Sequence, residues 1–112
     1  MPVDRSYIGT TGKPVTMHIE RGKIREFAKA IKEDDPLYFD EEYAKREAGG
    51  VMPPVTFLRT VEHWHDGEGR PRMPMDLKRA LHGEQEFEFL KPIFVGDVLT
   101  AASRITDVYE KA

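Results

Sequence analysis

The sequence predicts an α+β fold with antiparallel strands. Residues 14–20 alternate apolar and polar side chains, which is the two-residue period of a half-buried strand. Residues 21–33 then follow the longer period of an amphipathic helix. Two later segments, 84–90 and 97–109, are again typical of strands, and a short connection between them favours antiparallel pairing. This order of a strand, helices and then two strands indicates α+β rather than another class.

The first strand and the first helix are each expected to place one apolar face in the core. In the strand, Val15, Met17 and Ile19 lie on one side, because successive side chains point in opposite directions. In the helix, apolar residues recur at the i, i+3, i+4 and i+7 positions, which share one face. These residues are Ile24, Phe27, Ala28 and Ile31.

Proline, aspartate and glycine residues mark the boundaries of the next elements. Pro36 ends the first helix, because the residue before a proline is pushed out of the helical region. Asp40 is placed to cap a short helix over 41–48, and Gly49 with Gly50 ends it. A further helix follows two prolines, and its apolar residues Phe57, Leu58 and Val61 are expected to pack against Phe87 and Phe89.

Composition excludes several classes of protein. The chain has 112 residues, of which 33% are charged and 39% hydrophobic, as expected for one globular domain spanning 1–112. Its net charge is −3 and its Lys and Arg residues are scattered, which argues against nucleic-acid or membrane partners. No apolar run approaches the ~20 residues of a membrane span, and the N-terminus has no signal-peptide core. With no Cys, thiolate zinc sites are excluded, and a cytoplasmic protein is expected.

Three segments carry a resemblance to a known family. They are "IREFAKAIKEDDPLYFDEEYA", "GGVMPPVTFL" and "HGEQEFEFLKPIFVGDVLTAASRITDVYE". The chain resembles, from about Val15 to Tyr109, the N-terminal dehydratase-type domain of the MaoC-like hydratases and dehydratases. The resemblance implies the hot-dog fold, in which a curved antiparallel β-sheet wraps a long central helix. It also implies a homodimer, or a heterodimer with another hot-dog domain, that forms one continuous sheet.

The resemblance also implies a chemistry. Family substrates are acyl thioesters on coenzyme A or acyl carrier protein, and water is added or removed across the 2,3 position. No metal or redox cofactor takes part. Active members carry a motif of the form G-D-x-N-P-[LIV]-H, whose Asp and His activate the water and transfer protons. A backbone N–H at the start of the central helix polarises the thioester carbonyl.

This chain departs from the family motif at both catalytic positions. Aligned on Pro36, Glu33 replaces the Asp, Asp35 replaces the Asn and Tyr38 replaces the His. Glu33 can still act as a general base, although its oxygens are displaced by about one methylene from the ~3 Å geometry that catalysis needs. Tyr38 is the larger departure, because a phenol with a pKa near ~10 does not exchange protons at neutral pH as imidazole does.

Other residues are candidates for catalysis or substrate binding. His82 precedes a predicted strand and is either a catalytic group lining the pocket or a structural histidine. Thr56 offers its backbone N–H at the helix start as an oxyanion contact, while Asp35, Phe57 and Gln85 are further candidates for substrate binding. His63 and His65 do not form a metal site, since side chains two residues apart on a helix point in different directions.

Two functions remain open at this level. The chain is either a hydratase or dehydratase that uses Glu33 and His82, or a non-catalytic half that binds the acyl chain beside a partner with an intact motif. Tyr38 favours the second. Acyl-CoA thioester hydrolysis is the alternative outside the lyases, but the segment "PLYFDEEYA" belongs to the hydratase branch. Three strands are predicted where a hot dog has about five. Either the pattern underestimates the number of strands, or a longer parent chain or a strand-supplying partner completes the sheet, and the last two are favoured.

Overall fold

Two short antiparallel strands form the sheet. The computed structural model of the chain describes residues 4–76 and 78–111. Strand β1 covers Val15–His18 and pairs with strand β2, Val98–Ala101, so that Val15 lies opposite Ala101 and His18 opposite Val98. Among the described residues, no helix is long and apolar enough to cross a membrane. The α+β class predicted from the sequence is confirmed.

The pairing continues beyond β1 and β2 with a one-residue shift. Thr11 forms an isolated antiparallel bridge with Arg104, and the backbone N–H of Gly12 donates to the Ser103 carbonyl at 3.0 Å. Between this bridge and β1, the N-terminal segment contains one residue more than its partner, as in a β-bulge. A Cβ at Gly12 would collide with the Gly69 carbonyl, so glycine is needed where these backbones cross.

The core lies between β1 and helix α1, Arg21–Ala30. The strand alternates as predicted, since Val15, Met17 and Ile19 are buried and the residues between them are exposed. From α1, Ile24 and Ala28 are fully buried one helical turn apart. The prediction that Ile31 continues this face is wrong, because α1 ends at Ala30 and Ile31 is 47% exposed. The remaining buried apolar residues come from the second helix and the chain after it, namely Ala44, Val51 and Phe57.

Helix α2 covers Glu41–Ala48 and begins and ends as the sequence predicts. The Asp40 carboxylate accepts the Tyr43 backbone N–H at 3.0 Å, which satisfies a donor of the first turn. Gly49 adopts a positive φ of 83° at the C-terminus, and its N–H bonds back to the last helical carbonyls. These caps are encoded locally, and their prediction is confirmed.

The long central helix is shorter and tighter than expected. Phe57–Trp64 forms a 3-10 helix of 8 residues rather than a long α-helix. It begins where the Phe57 N–H donates to the Pro54 carbonyl at 2.9 Å. Within the helix, the Thr60 hydroxyl bonds the Phe57 carbonyl at 2.8 Å, and such side-chain bonds compete with regular α-helical pairing.

The two predicted C-terminal strands differ most from expectation. Within the described part of the chain, residues 84–90 pair with no strand, and Leu90 is 87% exposed. Phe87 and Phe89 stack on each other, with centroids 6.1 Å apart, and lie outside the core cluster that contains Phe57. Their predicted packing against Phe57 is wrong, because alternation specifies a strand's faces but not its neighbour.

The predicted strand 97–109 is realised over Val98–Ala101 and extends as a paired but irregular segment. The Ile105 N–H donates to the Thr10 carbonyl at 2.9 Å, and the Arg5 guanidinium donates to the Val108 carbonyl at 2.7 Å. The turn before it forms as predicted at Gly96 and Asp97, where the Asp97 carboxylate accepts the Phe94 N–H at 2.9 Å.

Phe57 is the residue by which the 3-10 helix contributes to the core. Its side chain is 3% exposed and meets Phe27 edge to face, with centroids 5.4 Å apart. We expect Phe57→Ala to lower the free energy of unfolding by about 3–5 kcal/mol. Phe89, which is 46% exposed, provides the control, and Phe89→Ala is expected to cost less than about 1 kcal/mol. If urea titrations showed equal losses of unfolding free energy in the two variants, the placement of Phe57 in the core would be contradicted.

Candidate functional site

The segment between α1 and α2 contains the acidic residues of the predicted motif. The way in which α1 ends determines the direction that this segment takes. The helix ends at Ala30, before the predicted Glu33. The Glu33 N–H donates to the Ala28 carbonyl at 2.8 Å and the Lys32 N–H to the Lys29 carbonyl at 3.1 Å, which is the Schellman arrangement. Lys32 therefore adopts a left-handed φ of 60°, a conformation that glycine usually provides. The acids consequently lie in a loop beyond the helix.

Two of the three acids cap backbone donors within this loop. Glu33 Oε1 accepts the Asp35 N–H at 3.2 Å. Asp35 Oδ1 accepts the Leu37 N–H at 3.0 Å and caps a 3-10 turn over Pro36–Tyr38. A carboxylate at a helix N-terminus satisfies a free donor and meets the positive end of the dipole. The Asp35 carboxylate thus caps the turn that follows, and the Glu33 carboxylate accepts the backbone N–H of this capping residue.

Tyr38 is the residue that the alignment on Pro36 predicts at the position of the family's His. Its ring packs partly buried against the core cluster. Burial raises the pKa of the Tyr38 phenol, and the negative charges of Glu33 and Asp35 raise it further. The phenol therefore stays protonated at neutral pH, where it can donate a hydrogen bond but cannot accept a proton.

An open apolar cleft of about 630 Å³ lies between β1, α1 and the 3-10 helix. Phe27, Ala30, Phe57 and Trp64 contribute its apolar surface. Charged and polar side chains line the rest, and these are His18, Glu20, Lys23, Glu26, Thr60 and His63. The volume falls within the ~300–1,000 Å³ range of small-ligand pockets, whose walls are mostly apolar with a few polar groups.

The sequence did not single out His18 as a site residue. Its exposed ring lies 5.2 Å from the Trp64 ring, tilted by 41°, at the side of the cleft. The alternation of β1 placed His18 on the face opposite the core, but the contact with Trp64 depends on how the 3-10 helix packs across the strand. Lys23 and Glu26 form an ion pair of 3.3 Å on another part of the lining.

Thr56 and Phe57, which were predicted to contact the substrate, lie at the start of the 3-10 helix. Thr56 is the exposed N-cap residue of the 3-10 helix, and its backbone N–H has no hydrogen-bond partner among the described residues. Phe57, the next residue, lines the cleft. Thr56 is thus adjacent in sequence to a residue that lines the cleft, but it does not line the cleft itself.

His82 and Gln85 lie apart from both features. Their side chains approach each other, with His82 Nε2 2.9 Å from Gln85 Oε1, and both residues are exposed. Neither lines the apolar cleft. The predicted residues thus occupy three places, namely the acidic loop, the start of the 3-10 helix and this exposed segment.

Glu62 anchors the outer side of the 3-10 helix. Burial favours its neutral form, but hydrogen bonds and charge from Arg59 and Arg70 outweigh this effect, and the pKa of Glu62 is lowered overall.

Residues 4–76 and 78–111 contain no group of three or more His, Asp or Glu side chains that would hold a metal ion.

The sequence is similar to a described family and to several bacterial proteins. The model of the "FAS1-like, dehydratase domain region" family matches residues 6–112. A UPF0336 protein of Thermobifida fusca is 38% identical over 113 residues, covering 96% of this chain and 74% of the relative. A UPF0336 protein of Streptomyces griseus is 36% identical over 112 residues, with coverages of 96% and 75%.

Two solved structures share the fold. The C-terminally truncated HadBC complex of Mycobacterium tuberculosis, a 3R-hydroxyacyl-ACP dehydratase, is 27% identical with a TM-score of 0.66, covering 91% of this chain and 72% of that one. The monoamine oxidase regulatory protein of Archaeoglobus fulgius is 21% identical with a TM-score of 0.62, with coverages of 92% and 70%. Both are hot-dog proteins, so the predicted hot-dog fold is confirmed.

The raised pKa of Tyr38 predicts a change in alkaline stability. Because the fold favours the neutral phenol, its contribution is complete below the unfolded pKa of ~10 and is lost as pH rises above that value. We expect Tyr38→Phe to lose less unfolding free energy than the wild type between about pH 9 and 11. Tyr109→Phe, which changes an exposed ring, is the control and should parallel the wild type. If the unfolding free energy of Tyr38→Phe also paralleled that of the wild type between about pH 9 and 11, the raised pKa of Tyr38 would be contradicted.

Proposed function

The chain belongs to the FAS1-like dehydratase region family of MaoC-like hot-dog proteins, and we propose that it is the non-catalytic, acyl-binding half of an acyl-thioester dehydratase or hydratase. In this proposal, a second hot-dog domain with an intact motif transfers the protons. This chain holds the acyl tail in the cleft between β1, α1 and the 3-10 helix. The reaction is addition or removal of water at the 2,3 position of the thioester.

The state of the acidic loop supports a non-catalytic role. Dehydration needs one group that removes the C2 proton and one that protonates the leaving hydroxyl at C3. Tyr38 remains neutral, so it does not accept a proton, and Glu33 already caps the Asp35 N–H. The proposal rests chiefly on this observation, a partly buried neutral phenol at the imidazole position of the family motif.

The cleft supports the acyl-binding role. The Phe27–Phe57 pair gives it a rigid apolar floor, because both rings are packed into or against the core. Trp64 adds a third aromatic surface. Burying an alkyl chain against such surfaces contributes about 0.8 kcal/mol per CH₂. The polar side chains of the lining, such as His18 and Thr60, are suited to contact the polar thioester end of a ligand.

The similarity to HadBC supports a two-subunit arrangement. That protein is a complex of two subunits and a dehydratase acting on an ACP-linked substrate, at 27% identity to this chain. In the segment 84–90, Phe89 is 46% and Leu90 87% exposed, and a neighbouring domain would cover these apolar side chains. We propose a heterodimer with another hot-dog domain as the working assembly.

Reconstitution tests the division of labour. The purified chain alone is expected to show no hydration of a crotonyl thioester above background, and adding a motif-intact hot-dog partner should produce activity. In the reconstituted pair, Glu33→Gln should change kcat by less than about 5-fold, below the 10²–10⁴-fold of a general acid or base. Asp34→Asn, which removes the same charge one residue away, is the matched control.

Two results would contradict the proposal. One is turnover by a homogeneous preparation of the chain alone that is lost in Glu33→Gln but retained in Asp34→Asn. The other is a loss of about 10²-fold or more in the reconstituted pair on Glu33→Gln alone. Either result would make Glu33 a proton-transfer group.

A further inference from the structure

The lining of the apolar cleft is rich in aromatic rings and poor in aliphatic side chains. Five of its ten described lining residues carry a ring, namely His18, Phe27, Phe57, His63 and Trp64. None of the ten is Leu, Ile, Val or Met, and the one aliphatic side chain among them is Ala30. The chain places its large aliphatic side chains elsewhere, since Met17, Ile19 and Ile24 are fully buried in the core.

The rings form two pairs at opposite ends of the 3-10 helix. Phe57 is the first residue of this helix, and its ring lies 5.4 Å from that of Phe27 in the last turn of α1. Trp64 is the last residue, and its ring lies 5.2 Å from that of His18, which precedes α1 by three residues. At ~2.0 Å per residue, the two pairs are about 14 Å apart along the helix axis.

The cleft consequently has a polar end and an apolar end. Glu20 and Lys23 flank the start of α1, close in the chain to His18, and they contribute charge at that end of the lining. The other end is formed by Phe27, Ala30 and Phe57. We call these three residues the aromatic corner.

The geometry of the aromatic corner suits a third planar ring. The planes of Phe27 and Phe57 meet at 89°, so a ring parallel to one of them is perpendicular to the other. Offset stacking and edge-to-face contact are the two favourable arrangements of aromatic pairs. Phe27 is half-buried, so part of its ring is accessible, and the small Ala30 follows it on the same helix face.

We propose that the aromatic corner binds a planar ring at the end of the acyl group, so that the cleft selects aryl-terminated thioesters over saturated ones. A saturated acyl group gains only from the area that it buries. An aromatic ring gains in addition from the quadrupoles of the rings that it contacts. This inference rests on the proposed function and adds the class of acyl group to it.

The remainder of the cleft fits the other end of such a ligand. In a 3-10 helix with about 3 residues per turn, Phe57, Thr60 and His63 share one face, and all three line the cleft. A ring in the aromatic corner therefore directs the acyl chain along this face. The thioester then lies among the polar side chains near His18.

The test compares two coenzyme A thioesters that differ only in whether the terminal ring is aromatic, ω-phenylhexanoyl and ω-cyclohexylhexanoyl. Both are saturated at the 2,3 position and carry no 3-hydroxyl, so calorimetry on the reconstituted pair measures binding without turnover. Cyclohexyl is the larger apolar group, and a site that responds only to buried area binds it at least as tightly. We expect the phenyl thioester to bind about fivefold more tightly.

Variants of Phe27 identify the ring on which this preference depends. Phe27→Leu replaces the ring by a branched aliphatic side chain and should reduce the preference to less than about twofold, whereas Phe27→Tyr keeps the ring and should retain the preference. Phe89→Leu removes a 46% exposed ring outside the cleft and is the control, with an unchanged preference. Where a variant does not fold, the wild-type comparison still tests the proposal.

Several results would overturn the inference while leaving the acyl-binding function in place. They are equal affinities, tighter binding of the cyclohexyl thioester, a preference that survives Phe27→Leu, and a preference that is lost in Phe27→Tyr or in Phe89→Leu. Tighter binding of the ω-trimethylammoniohexanoyl thioester than of the phenyl thioester would also overturn it, by identifying a cation site of rings and carboxylates. If neither ring-ended thioester bound, the proposed function itself would be contradicted.

Discussion

The edge-to-face contact between Phe27 and Phe57 joins the two parts of the molecule on which the candidate site depends. Phe27 comes from α1 and Phe57 from the 3-10 helix, and their centroids lie 5.4 Å apart. On the core side, Phe57 belongs to the cluster with Met17 and Ile24. On the other side, both rings form the floor of the apolar cleft. The same packing that stabilises the fold therefore also forms part of the wall of the cleft.

Sequence reasoning succeeded for features determined by near neighbours. These features are the inward side chains of β1, the buried face of α1, the Asp40 cap and the Gly49 terminus. Each depends on residues within one or two turns. The capping role of Glu33 and Asp35 was not predicted, because α1 ends early through the left-handed Lys32, and no glycine marks that position.

Features that depend on distant contacts were not predictable. The alternation of 84–90 resembles that of 14–20, yet only the latter pairs in the described structure, because the partner of a strand is a property of the whole chain. The cleft likewise combines His18 from a strand with Trp64 from a helix. Of the predicted site residues, Phe57 lines this cleft, whereas His82 and Gln85 are paired with each other at the surface.

The departures from the family motif are consistent with one another. Replacing imidazole by a phenol whose pKa is raised removes the proton acceptor, and the adjacent carboxylates serve as caps. What remains is an apolar cleft of about 630 Å³ and the Thr56 backbone N–H, for which the described residues provide no hydrogen-bond partner. We propose that these features bind and orient a thioester without transferring its protons.

The most direct test of this account is photo-crosslinking with an acyl thioester that carries a diazirine at the end of its chain, using the reconstituted pair. The account predicts labelling of this chain at Phe27, Phe57 or Trp64, which line the cleft. Filling the cleft with Ala30→Phe should remove that labelling, whereas Ala80→Phe, at an exposed position elsewhere, should leave it unchanged. Labelling confined to the partner, or to residues 33–38 of this chain, would contradict the account.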